Sequence, residues 1–129
     1  MTAIVVHHLE QARAALAAAA ELGCTLELRS APGAAAYAGV GYLKALNDAL
    51  GHEVLIDCGD DAGLVMAALR TGCRLVAFSG SAELARRLGD MAEQFGAALV
   101  IESQAPNVVM LQPEDDAAAA LRARAFGGS

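Results

Sequence analysis

Apolar and polar positions alternate between two periods along this chain. Short runs of aliphatic residues, Ile4-Val5-Val6, Val54-Leu55-Ile56, Leu75-Val76-Ala77-Phe78 and Leu99-Val100-Ile101, have the length of strands. Between them apolar residues recur at helical spacing. Leu84, Leu88, Met91 and Phe95 fall at i, i+4, i+7 and i+11, a stripe along one side of a helix. Glu83 with Arg87, and Arg86 with Asp90, add i,i+4 charge pairs away from that stripe. Tyr37, Val40, Leu43, Leu46 and Leu50 mark another helix in the same way. Gly39 and Gly41 fall inside it, at a helix-propensity cost of about 1 kcal/mol each, which close packing on the sheet, ahead of packing on another subunit, would explain. The alanine-rich segment Leu9 to Leu22 is the first helix.

Four glycines keep these elements in register. Gly23, Gly51, Gly72 and Gly96 each stand where a helix ends in a left-handed residue, and a strand begins two or three residues later. Their spacings of 28, 21 and 24 residues are those of strand–helix units. Leu26-Glu27-Leu28-Arg29 is the second strand, and its alternation suits a sheet edge. A sixth strand, Val108 to Leu111, follows the fifth after Ser103 to Asn107 only, too short for a parallel crossover, so it is expected to run antiparallel beside the fifth. A last helix follows Pro113, with Glu114, Asp115 and Asp116 in its first turn and Arg122 and Arg124 near its end.

The expected fold is α/β: a three-layer, flavodoxin-like sandwich of five parallel strands in the order 2-1-3-4-5, with a C-terminal antiparallel strand and helix. Residues 1–129 form a single domain in this reading. That order places the alternating second strand at the edge and keeps the continuous apolar third, fourth and fifth strands inside.

Composition narrows the class of partner more than it names one. The formal net charge of −6 argues against nucleic acid and against an anionic membrane surface. Hydrophobic residues make up 56% of the chain and aromatic ones only 4%, so the core is aliphatic and rich in alanine. Met1 to His8 lacks the basic start of a secretory signal, and no segment reads as a membrane span. Cys24, Cys58 and Cys73 form no C-x-x-C pair and are expected as buried structural thiols in a cytoplasmic protein. The sequence leaves the cofactor open, as it does a divalent metal held by His and Asp; a small-molecule ligand and a homo-oligomer are both permitted.

The chemistry is expected at the carboxyl ends of the strands, where parallel sheets bind ligands. Val54-Leu55-Ile56 runs straight into Asp57-Cys58-Gly59-Asp60-Asp61, and His7-His8 closes the first strand. With strands one and three adjacent, His7 or His8 meets Asp57 across a crevice, with Asp60 on its lip. An imidazole beside a carboxylate supports acid–base work. These four are the candidate catalytic residues. Each also has a purely solvated reading, since any strand turns polar where it leaves the core, and Asp60 and Asp61 suit turns and helix caps. Three carboxylates around Cys58 oppose its thiolate, which argues against a nucleophile there. Two loops are candidates for ligand binding through helix N-termini: Ser79-Gly80-Ser81, and Ser30 with Gly33 in Ser30-Ala31-Pro32-Gly33. Neither matches a phosphate-loop or dinucleotide fingerprint.

In length, in order of elements, in Asp57 closing the third strand and in Ser79 after the fourth, the chain resembles a response-regulator receiver domain. His7-His8 stand where that family has an acidic pair, and Glu102 where it has a lysine, so the resemblance implies a degenerate, non-phosphorylated relative. Leu75 to Gly80 is similar to a segment of a (βα)₈ barrel, although this chain is too short to close one. Two functional readings follow: a domain binding a small ligand, with anionic and phosphorylated molecules included, at the ends of strands one and three, or a non-catalytic regulatory or subunit module.

Overall fold

The structure is a computed structural model that describes residues 2–101 and 108–126. Its elements follow the alternation in the sequence: β1 (Thr2–Val5), α1 (Leu9–Leu22), β2 (Leu26–Arg29), α2 (Ala34–Tyr37), α3 (Val40–Leu50), β3 (Ile56–Asp57), α4 (Ala62–Thr71), β4 (Leu75–Phe78), α5 (Ala82–Gln94), β5 (Ala98–Ile101), β6 (Val108–Met110) and α6 (Ala117–Phe126). Local signals set most boundaries. Asp61 caps α4 by accepting from the Leu64 N–H, Ser81 caps α5 by accepting from the Leu84 N–H, and Asp116 accepts from the Ala119 N–H at the start of α6. Gly23, Gly51, Gly72 and Gly96 all take left-handed backbone, as the repeat requires.

The strands form two small parallel sheets, β2-β1-β6 and β3-β4-β5. One parallel bridge, Arg29 to Leu55, joins them: the Leu55 N–H donates to the Leu28 carbonyl at 2.8 Å and the Ser30 N–H to the Leu55 carbonyl at 2.9 Å. Spatial order therefore runs β6-β1-β2 and on to β3-β4-β5, and among the described residues no barrel closes. Successive helices touch in the order α6, α1, α3, α4, α5, which places them along one side of the strands. On that side Ile4, Leu28, Val54, Ile56, Val76 and Phe78 lose all contact with solvent. Burying each such side chain stabilises the fold by about 1.5–3 kcal/mol. The other side carries Glu27 and Arg29, paired at 2.8 Å.

Several expectations are corrected. The 2-1-3-4-5 order is not found, because β1 lies between β2 and β6 while β3 meets β4 and the end of β2. β2 does stand at one end of its three-stranded sheet, with the Arg29–Leu55 bridge beyond it, and its alternation separates an apolar helix side from a polar opposite side. The continuous apolar run of β5 is no sign of an interior strand, since β5 ends its sheet with Ile101 67% exposed. β6 pairs with β1 and runs parallel to it, so the short link from β5 leads to a different sheet and needs no crossover onto β5. The helix expected over Tyr37 to Leu50 is broken at Gly39, where φ is 89° and ψ is 144°. A Cβ at Gly41 would meet nothing within 4 Å, so close packing does not explain that glycine. Finally, Glu114 to Asp116 precede α6 instead of forming its first turn.

Candidate functional site

At the carboxyl ends of β1 and β2, beside the residues that follow β6, lies a cleft of about 430 Å³. Its polar and aromatic lining comes from His7, His8, Ser30, Tyr37, Tyr42 and Gln112, and alanines with Val6, Leu43 and Pro113 complete the wall.

Each histidine is built into the scaffold. His8 is the N-cap of α1: its Nδ1 accepts from the Gln11 N–H at 3.2 Å. The ring then carries its hydrogen on Nε2, which donates to the Pro113 carbonyl at 2.8 Å. The Nε2–H of His7 donates to the Leu111 carbonyl at 2.5 Å. Between them, buried Gln11 accepts from the His7 N–H at 2.7 Å and donates to the carbonyls of Gln112 and Asp115 at 2.9 and 3.0 Å. Together these bonds clamp residues 111–115 onto the start of α1, which is why β6 can deliver Gln112 and Pro113 to the cleft wall.

Ser30 is buried, and its Oγ accepts from the Asp57 N–H at 2.9 Å, tying the end of β2 to β3. Gly33 has φ 77°, left-handed backbone that favours glycine, and opens the short helix carrying Tyr37. The Tyr37 ring is the nearest group to the place a Gly33 Cβ would occupy, at 4.0 Å. Tyr42 reaches back from α3, its hydroxyl donating to the His7 carbonyl at 3.3 Å.

The structure therefore brings His7, His8 and Ser30 together, with Gly33 alongside, and keeps the remaining candidates elsewhere. Asp57 lies across β2, outside the cleft lining, with its carboxylate accepting from the Gly59 N–H at 2.8 Å. Asp60 is exposed on the same turn. In the other loop, the Ser79 N–H donates to the Gly59 carbonyl at 2.8 Å, Ser81 caps α5, and a Cβ at Gly80 would stand 2.3 Å from the Phe78 ring. Packing and capping account for that loop. Glu102 lies outside the described residues.

Burial pushes the Cys58 thiol up to about 12, with Asp57, Cys73 and Asp61 adding to it, and raises Cys73 as well, with Glu53 adding there. Both are unreactive thiols. Cys24 is exposed, which corrects the expectation of three buried cysteines; it follows the exposed left-handed turn at Gly23. Among the described residues no three His, Cys, Asp or Glu side chains converge as a metal site. No helix among them is long and apolar enough to cross a membrane.

A second cavity, about 470 Å³, opens on the helix-free side around Glu27, Arg29, His52, Glu53 and Leu55. It runs along β2 from Thr25 to Arg29, with Leu75 and Val100 of the other sheet completing its wall. The tyrosines are what the sequence pattern hid. Tyr37 counted as part of an apolar stripe, yet it is 69% exposed, and Tyr42 is 46% exposed. The available signal was that the chain's two tyrosines flank Gly39 within six residues. No protein-family model matches the sequence, and no curated protein matches it.

Proposed function

We propose that this protein is a small-molecule-binding α/β domain whose site is the cleft at the carboxyl ends of β1 and β2. The observation that carries the reading is the convergence there of His7, Ser30, Tyr37, Tyr42 and Gln112 from five separate stretches of chain. Such a convergence on a concave, mostly apolar surface of about 430 Å³ is the usual form of a ligand site. The three free cysteines fit a reducing, cytoplasmic setting. Catalysis through His7 and Asp57 is the weaker part of the reading, because both histidines already donate to backbone carbonyls of residues 111–113.

A thermal-shift screen of a small-molecule library tests the site. A ligand at one hundred times its dissociation constant stabilises by about 2.7 kcal/mol, so weak binders register. Stabilisation by hits is expected to disappear in Tyr42→Ala and persist in Asp57→Asn. Loss in Asp57→Asn with retention in Tyr42→Ala would move the site to the turn after β3. The second reading, a regulatory or subunit module, is supported by the exposed apolar end of the second sheet, where Ile101, Phe95 and Leu84 are 67%, 47% and 40% exposed. It entails silence from the library and, in sedimentation equilibrium, a mass above one chain that Ile101→Lys reduces to one.

A further inference from the structure

Resting on the binding-site reading above, we propose that the cleft takes an uncharged, planar heteroaromatic ligand held against Tyr37 and Tyr42. Both tyrosines of a chain that has no tryptophan line this one cleft. Tyr37 and Tyr42 are both exposed residues. Ring faces of this kind bind by stacking, and the aromatic area is rigid, so little freedom is lost on contact.

The charge of the lining decides the class of ligand. The chain has 24 residues of Lys, Arg, Asp and Glu, 9 basic and 15 acidic, yet none of those among the described residues lines the cleft. An ionised ligand would lose hydration there without meeting an opposite charge, and an uncharged one has no such cost. An organic cation could use the tyrosine faces, but among the described residues the wall offers no carboxylate to accompany it.

The polar groups suit the edge of a heteroaromatic ring. Ser30 Oγ accepts from the Asp57 N–H, which leaves its own hydrogen to donate. His7 donates through Nε2 to the Leu111 carbonyl, which leaves Nδ1 as an acceptor. One donor and one acceptor beside two ring faces can select a planar ring with a mixed hydrogen-bonding edge over a purely apolar one.

The test uses the full chain labelled with 3-fluorotyrosine, which gives two fluorine resonances, assigned with Tyr37→Phe and Tyr42→Phe. Adenine, tetramethylammonium, inorganic phosphate and glucose are titrated in turn. Adenine is expected to move both resonances saturably. Tyr37→Ala and Tyr42→Ala are each expected to weaken it at least about fivefold, read on the remaining tyrosine, while the Phe variants retain binding. Unchanged melting temperatures of the ligand-free Ala variants establish that the fold is kept. Phosphate or tetramethylammonium moving both resonances more readily than adenine would overturn the uncharged-ring assignment and leave the site standing. Preference for glucose, or adenine binding that both Ala variants preserve, would overturn the stacking. If no probe moves either resonance, the heteroaromatic assignment falls, and the library screen decides separately whether the cleft binds a ligand of another class.

Discussion

A Cβ built at Gly80 stands 2.3 Å from the ring of Phe78, and that ring is fully buried and has no room to swing aside. One packing contact thus accounts for a glycine that, in sequence, looked like part of an anion loop. Cys58 is a similar case. Its thiol is pushed up from 9.0 to about 12, first by burial and then by Asp57, so the native state holds that proton more tightly than the unfolded chain. The stability contributed by the protonated thiol is complete below about pH 9 and is lost as pH rises toward 12. Urea denaturation between pH 7 and 10.5 is expected to show a falling midpoint, with a shallower fall in Cys58→Ala. An equal slope in the two proteins would contradict the assignment. What was legible at this scale was local: Asp61 and Ser81 act as caps, as their positions before apolar runs imply. The causes behind Gly80 and Cys58 are three-dimensional, and the carboxylates credited with restraining Cys58 rank behind burial.

Among the elements, the N-terminus of α1 matters most for the cleft. Gln11 is 3% exposed and joins the His7 N–H to the carbonyls of Gln112 and Asp115. Gln11→Ala removes the partner of these part-buried groups, at a cost of about 1 kcal/mol in stability. Hydrogen exchange is expected to accelerate at residues 111–115 more than in β4. Uniform acceleration would show that Gln11 contributes only to global stability. Helix existence was readable from periodicity, but helix phase was not. On α5 the buried positions are Ala85, Leu88 and Ala92, while Leu84 and Phe95 are 40% and 47% exposed. Small alanines let that helix approach the sheet closely, and a hydrophobic stripe drawn through the larger side chains points beside the true contact. Spacing alone likewise put Tyr37 on an apolar stripe, although it is exposed. Gly39, read as a tolerated interior residue, is the break that separates Tyr37 from α3.

For the molecule as a whole, the glycine-led repeat was enough to recover the alternation of strands and helices, but not which strands become neighbours. Adjacency depends on contacts far apart in sequence: Ile4 with Val109, and Leu55 with Leu28 and Arg29. No local pattern encodes these pairs. The consequence for function is direct, because β6 beside β1 carries Gln112 and Pro113 to His7 and His8, and β2 between β1 and β3 holds Asp57 away. Where the site lies is therefore a question of strand order. Backbone nuclear Overhauser effects in uniformly labelled protein answer it most directly. Cross-strand contacts are expected between Ile4 and Val109 and between Leu28 and Leu55, with none between Ile4 and Ile56. Contacts between Ile4 and Ile56 would contradict the account, since they would bring Asp57 beside the histidines and relocate the site to the crevice between β1 and β3.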